Sequence, residues 1–192
     1  MKKDLQSMVN VAIFASGSGS NFENIATSDL NIDIKVLIVD NKDAKAIERA
    51  KRLNVPYKVV ELTGKTKDQF EQEILDILKQ ENVEYILLAG FMKILSAAFI
   101  EQYDHKIINI HPSLLPSFKG KDGILDAYNY GVKVSGVTVH YVDSGIDTGE
   151  IIDQTPVIIE DDDTLETFED KIHKAEYDLY IRALKKVLEV NE

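Results

Sequence analysis

Val9-Asn10-Val11-Ala12-Ile13-Phe14-Ala15-Ser16-Gly17-Ser18-Gly19-Ser20-Asn21-Phe22 is the stretch that decides the fold. An apolar run of strand length enters a glycine–serine turn, and a segment of helical spacing, Asn21–Thr27, follows. A strand apolar along its whole length is buried on both faces, and its passage through glycines into a helix opens an α/β unit. The glycines permit positive φ and close backbone approach. The helix start then offers free N–H groups to an anion, most simply a phosphate. The same residues also suit a tight strand–helix turn with no ligand.

Outward from this unit the alternation repeats. Ile34–Val39, Tyr57–Val60, Tyr85–Ala89 and Lys106–Ile110 read as strands, with helices at Ala44–Leu53, Lys67–Gln80 and Ser96–Tyr103 between them. Phe70, Ile74, Ile77 and Leu78 recur at helical spacing and give the second of these helices one buried face. Buried strands separated by helices predict an open, mostly parallel twisted α/β sheet with helices on both faces. Val134–Val142 and Glu150–Ile159 are longer strand candidates joined by a glycine-containing loop, and read as a hairpin-like end of the sheet. A closing helix is expected from about Thr164 to Glu189, opened by a capping box in Asp163-Thr164-Leu165-Glu166. Without repeats, low-complexity tracts or linkers, the 192 residues read as a single domain, 1–192.

Composition narrows the function. The net charge is −11, from 22 basic and 33 acidic side chains. A surface that binds nucleic acid wants the opposite sign. Cys is absent, which excludes disulfides, thiolate zinc sites, iron–sulfur clusters and cysteine nucleophiles. No apolar run approaches ~18 residues, so no membrane span is expected. Met1–Asn10 carries Lys2 and Lys3 but no apolar core of a secretory signal, which fits a cytoplasmic location. His105 and His173 lack metal-like spacing with other ligands, and no metal site is expected.

Three segments carry chemistry. In the opening loop, Asp40 lies about 20 residues beyond the glycines, as in a dinucleotide fingerprint. The third glycine of that fingerprint is Phe22 here, however, and no Lys-Ser/Thr pair of a P-loop follows. A mononucleotide or sugar-phosphate site is therefore favoured over a dinucleotide. In the second segment, Ile107-Ile108-Asn109-Ile110-His111-Pro112-Ser113-Leu114-Leu115-Pro116, a strand delivers Asn109 and His111 at its carboxyl end. Two residues apart, they share a face if the chain stays extended, and Pro112 favours that. An amide donor beside an imidazole can hold a developing oxyanion and move a proton. The bland alternative is a His and an Asn that merely fix a loop. In the third, Val137–Val142 alternates as a strand, and the following loop presents Asp143 and Asp147. A carboxylate there can hold an imidazole in its charged form. His140, in mid-strand, reads as a structural hydrogen-bonder.

Together these segments resemble the folate-dependent phosphoribosylglycinamide formyltransferases of purine synthesis, from about Val9 to Tyr180. The likeness includes the Ala15–Phe22 loop, Leu88-Ala89-Gly90-Phe91-Met92-Lys93-Ile94-Leu95-Ser96, the Asn109–Gly120 block and the Gly136–Gly149 block. The resemblance implies a Rossmann-like formyltransferase fold. It implies direct attack by the amine of phosphoribosylglycinamide on the formyl carbon of 10-formyltetrahydrofolate through a tetrahedral oxyanion. The catalytic His of the family falls on His111, its Asn on Asn109 and its Asp on Asp147. Gly19, Ser20 and Asn21 match the phosphate loop for the ribonucleotide, and Glu176 matches an acid that contacts it. Met92, Lys93, Ile94 and Leu95, with Asn109 and Lys67, match the folate-binding positions. The co-substrate is a folate, with no metal. The partners are small molecules, with neither nucleic acid nor membrane, and the chain acts as a monomer or homodimer.

The chain departs from the family pattern at Lys93 and Lys67, where many members have Arg, at Glu150, where many have Pro, and at Lys121-Asp122-Gly123, where a His is frequent. The rival readings are a formyltetrahydrofolate deformylase and a non-catalytic nucleotide-binding domain of the same fold. The deformylase carries an added N-terminal domain, for which a core strand starting at Val9 leaves no room. The binding domain does not need Asn109, His111 and Asp147 together. Methionyl-tRNA formyltransferase shares the Asn109–Ser113 block but needs a further domain to hold tRNA. Phe22 disfavours a dinucleotide oxidoreductase.

Overall fold

In the computed structural model, residues 8–189 are described. The Lys2–Lys3 segment, read above as no signal, lies outside them. Seven strands form one mostly parallel sheet, in the spatial order Tyr57–Val59, Ile32–Val39, Val9–Ala15, Tyr85–Leu88, Ile107–His111, Val134–Tyr141 and Ile151–Ile158. The chain divides into two compact units, one of residues up to Ile94 with 185–189, the other Leu95–Leu184.

The first unit holds β1 (Val9–Ala15), α1 (Ser20–Ala26), β2 (Ile32–Val39), α2 (Ala46–Arg52), β3 (Tyr57–Val59), α3 (Lys67–Gln80) and β4 (Tyr85–Leu88). β1 pairs in parallel with β2 and β4, and β2 with β3. Val11 through Ala15 are all fully buried, so both faces of β1 are covered. Helices supply the crossovers that parallel strands require. α3 starts on a capping box in which Thr66 and Gln69 satisfy each other's backbone N–H. Phe70, Ile74 and Leu78 form its buried stripe.

The second unit holds α4 (Ala97–Gln102), β5 (Ile107–His111), α5 (Gly123–Tyr130), β6 (Val134–Tyr141), β7 (Ile151–Ile158) and most of α6 (Leu165–Leu188). β6 runs antiparallel to both β5 and β7. The hairpin expected at the end of the sheet is therefore present, because the loop between β6 and β7 is too short for a parallel crossover.

Two local features differ from the sequence reading. α5 has no counterpart among the expected helices. It is only two turns long, its buried residues are Gly123 and Ala127, and Leu125 and Tyr130 face solvent, so it carries no apolar stripe. The cap of α6 is also shifted by one residue. Thr164 and Thr167 make the reciprocal pair, each backbone N–H donating to the other's hydroxyl, at 2.8 and 3.2 Å. Asp163 instead accepts from Thr167 Oγ1, from Glu160 N–H and from Lys171. Those donors hold its carboxyl below the ordinary range, Lys171 most strongly.

Candidate functional site

In the first unit, the turn after β1 is fixed at its glycines. Gly19 has φ +75°, and a Cβ there would lie 2.6 Å from Ala46 Cβ and 2.7 Å from Ala46 Cα. Only glycine tolerates both the left-handed backbone and the close approach of α2. Ala46 N–H donates to Gly17 O at 3.1 Å, and Arg49 Nε donates to Ser18 O at 2.8 Å. Arg49 and Arg52 both pair with Glu23 in α1, which holds the Glu23 carboxyl low. Gly19, Ser20 and Asn21 thus open α1 on a braced turn. Asn21 Oδ1 is buried and has no hydrogen-bond partner.

The loop after β4 meets this turn. Ser16 N–H donates to Gly90 O at 3.1 Å, and Met92 N–H donates to Ser16 Oγ at 2.8 Å. Met92 and Ile94 are 70% and 66% exposed, whereas Leu95 is buried. Lys93 is exposed beside Asp40. Lys67 is exposed at the first turn of α3. Of the candidate folate positions in this unit, Met92, Lys93 and Ile94 therefore gather next to the Ser16 turn.

In the second unit, β5 stays extended through His111, so Asn109 and His111 share a face as expected. They pair with His140 and Thr138 of β6. The Asp147 carboxylate lies between two imidazoles. Its Oδ2 is 3.5 Å from His111 Nδ1, and its Oδ1 is 3.8 Å from His140 Nε2. Oδ2 also accepts from Gly120 N–H at 2.9 Å, which ties the loop after β5 to the loop after β6. His111 Nε2 donates to Phe118 O at 2.8 Å, so each ring nitrogen faces an oxygen. His111 is 5% exposed.

His140 belongs to this cluster, although its mid-strand position conceals that in the sequence. Its Nδ1–H donates to Tyr141 O at 2.8 Å, since a carbonyl only accepts. Nε2 of the neutral ring then accepts from Asn109 Nδ2 at 3.5 Å. Burial holds this imidazole below its ordinary pKa, against the opposing effects of the Tyr141 carbonyl and the Asp147 charge. Asp143, presented by the same loop as Asp147, braces the loop instead. It accepts from Thr148 Oγ1 at 2.6 Å and Gly145 N–H at 2.9 Å, and the Thr148 bond foremost lowers its pKa.

A buried hydroxyl sets the path of the His111–Phe118 loop. Thr138 Oγ1 donates to Ser113 O at 2.7 Å and accepts from Leu115 N–H at 3.1 Å and Gln154 Nε2 at 3.0 Å. Leu115–Pro116 is cis. Gly123 lies against the imidazole, since a Cβ there would be 3.2 Å from His111 Nε2. Neither Thr138 nor Gly123 carries a signal in the sequence, because each acts through a register or a contact visible only in the fold. Glu176, on α6, is buried, and its Oε2 lies 3.1 Å from His173 Nδ1. That bond foremost raises the His173 pKa. Among the described residues no group of three or more His, Asp or Glu is placed to hold a metal ion, and no helix is long and apolar enough to cross a membrane.

Residues 9–184 match the formyl transferase family. The chain is 45% identical over 189 residues to phosphoribosylglycinamide formyltransferase of Bacillus subtilis (strain 168), covering 96% of this chain and 97% of that one. It is 36% identical over 182 residues to the human trifunctional purine biosynthetic protein adenosine-3, covering 92% of this chain but 18% of that protein. The crystal structure of glycinamide ribonucleotide transformylase 1 from Geobacillus kaustophilus superposes with a TM-score of 0.91 at 45% identity, covering 94% of this chain and 99% of that one.

Proposed function

We propose the following function for a chain that belongs to the formyl transferase family. It transfers the formyl group of 10-formyltetrahydrofolate to the amine of phosphoribosylglycinamide, a step of purine synthesis. The observation that carries this reading is the cluster of buried His111 and His140 with half-buried Asn109 and Asp147, in a chain so similar to a glycinamide ribonucleotide enzyme.

The amine lone pair attacks the formyl carbon, and the carbonyl oxygen becomes an oxyanion. The Asn109 amide donates a hydrogen bond to that oxygen, and His111 supplies the second polar contact. An oriented donor in a water-poor site is worth about 3–4 kcal/mol of transition-state stabilisation. The tetrahedral centre collapses by breaking its bond to the folate nitrogen. That nitrogen takes a proton, the attacking amine loses one, and His111 serves as the carrier. Asp147 and the Phe118 carbonyl fix the ring between two acceptors. His140, neutral and bonded to Tyr141 O, orients the Asn109 amide through Nε2.

The Gly19–Asn21 turn holds the ribonucleotide phosphate on backbone N–H groups and the Ser20 hydroxyl, and Glu176 receives a further donor of that substrate. Met92, Lys93, Ile94, Leu95 and Lys67 face the folate. The chain needs no metal and acts on small molecules as one formyltransferase domain. It works in the cytoplasm as a monomer or homodimer. The test is a difference-absorbance assay with 10-formyltetrahydrofolate, with and without phosphoribosylglycinamide. Tetrahydrofolate release that requires the ribonucleotide supports the transferase. Release without it moves the reading to a hydrolase, and no release leaves a binding domain.

A further inference from the structure

Asp40 directly follows the Ala15–Val39 pair at the carboxyl end of β2, the end at which open α/β sheets bind ligands. Its side chain is only 6% exposed. Oδ1 is buried and has no hydrogen-bond partner. Oδ2 lies 3.9 Å from Lys93 Nζ, and the Lys93 side chain is 41% exposed. The buried member of the pair is thus the carboxylate, and the ammonium stands at the surface. Withdrawing a carboxylate from water is unfavourable unless donors or a cation meet it. No donor meets Oδ1, so Asp40 is poorly explained as a structural hydrogen-bonding residue.

The pair does explain the placement of Lys93. A lysine head is a compact charge on a four-carbon stem with free rotations, and lacks the pre-organised fork of arginine. The residue before it is already tethered, because Met92 N–H donates to Ser16 Oγ. Asp40 adds the second anchor, on the charged head. We infer that Asp40 is a positioning residue, which holds the Lys93 ammonium at the carboxyl end of the sheet so that it meets an anionic carboxylate of the formyl donor. This rests on the proposed reading of Met92–Leu95 as a folate-facing segment. Lys93 remains half exposed, and at 3.9 Å its contact with Asp40 is an ion pair rather than a hydrogen bond, so the ammonium hydrogens are available to a ligand.

The test is steady-state kinetics on wild type, Asp40→Asn, Lys93→Met and the double variant, with 10-formyltetrahydrofolate varied and the ribonucleotide saturating. Lys93→Met is expected to raise the folate KM about tenfold, and Asp40→Asn about three- to tenfold with kcat within about twofold. In the Lys93→Met background Asp40→Asn adds no further increase, because the carboxylate acts through the lysine. Asp40→Glu, which keeps the charge, brings the folate KM back toward wild type. An unchanged folate KM in Asp40→Asn, beside a raised one in Lys93→Met, overturns the positioning role alone. Equal increases from Asp40→Asn in both backgrounds overturn it too. An unchanged folate KM in Lys93→Met removes the folate reading of the segment, and the positioning role with it. Thermal melting verifies that each variant is folded, and Asp40→Ser repeats the cycle if Asp40→Asn melts below the assay temperature.

Discussion

Replacing Gly19 by alanine separates a turn held by its backbone from a merely glycine-rich one. The residue has φ +75°, and its added methyl would lie 2.6 Å from Ala46 Cβ and 2.7 Å from Ala46 Cα. Ala46 begins α2, is fully buried and donates its N–H to Gly17 O, so it cannot simply rotate away. The left-handed conformation costs a non-glycine residue about 1–2 kcal/mol. Overpacking against a buried neighbour adds about 1–3 kcal/mol. Gly19→Ala is therefore expected to destabilise by roughly 2–5 kcal/mol, a melting-temperature drop of about 5–15 °C for a chain of this size. Gly17 is the control, since nothing lies within 4 Å of the place its added methyl would take and its φ is not positive. Gly17→Ala should leave stability within about 1 kcal/mol of wild type. Thermal melting of both variants, with the ribonucleotide KM of Gly19→Ala measured below its midpoint, reads the result. A Gly19→Ala protein that melts with the wild type would show that the close approach of α2 does not constrain the turn.

Other outcomes follow from the second unit. Asp147→Asn keeps the Asp147 shape but removes the charge beside His111 and His140, and kcat is expected to fall about 10²- to 10⁴-fold while the melting curve stays cooperative. Near-normal turnover there removes Asp147 from the mechanism. Thr138→Val strands Leu115 N–H and Ser113 O in a buried position, and should cost about 2–4 kcal/mol in a melting experiment. The pH dependence of stability has a component from His140. Its folded-state pKa lies below the ordinary 6.5, so below about pH 6.5 the unfolded chain binds the extra proton and folding weakens as pH falls. The melting-temperature difference between pH 7.5 and 5.5 should shrink in His140→Gln, and an unchanged difference contradicts the assignment. His173 has the opposite sign. Glu176 raises its folded pKa, so its contribution is fully present below pH 6.5 and is lost as pH rises through the raised value.

The strands and longer helices were legible because burial writes itself into the sequence. Val11–Ala15 is apolar at every position and buried at every position, and α3 shows both its cap and its stripe. What was not legible depends on partners far along the chain. α5 buries only Gly123 and Ala127, so no apolar period marks it, yet Gly123 lies against His111. The α6 cap admits either Asp163 or Thr164 by residue type, and the backbone settles on Thr164 with Thr167. Asn109 and His111 were readable from their spacing of two. The place of His140 was not, because it comes from the antiparallel register that sets it opposite Asn109. Asp40 was visible only as a fingerprint acid, and its neighbour Lys93 lies more than fifty residues away in sequence.

Direct formyl transfer to the ribonucleotide amine is followed with a donor labelled with ¹³C in the formyl group. The label, followed by NMR, is expected to move into the formamide carbon of the ribonucleotide product in amounts equal to the tetrahydrofolate released, and His111→Ala is expected to slow this by orders of magnitude. Label appearing as free formate, with or without the ribonucleotide present, would contradict it.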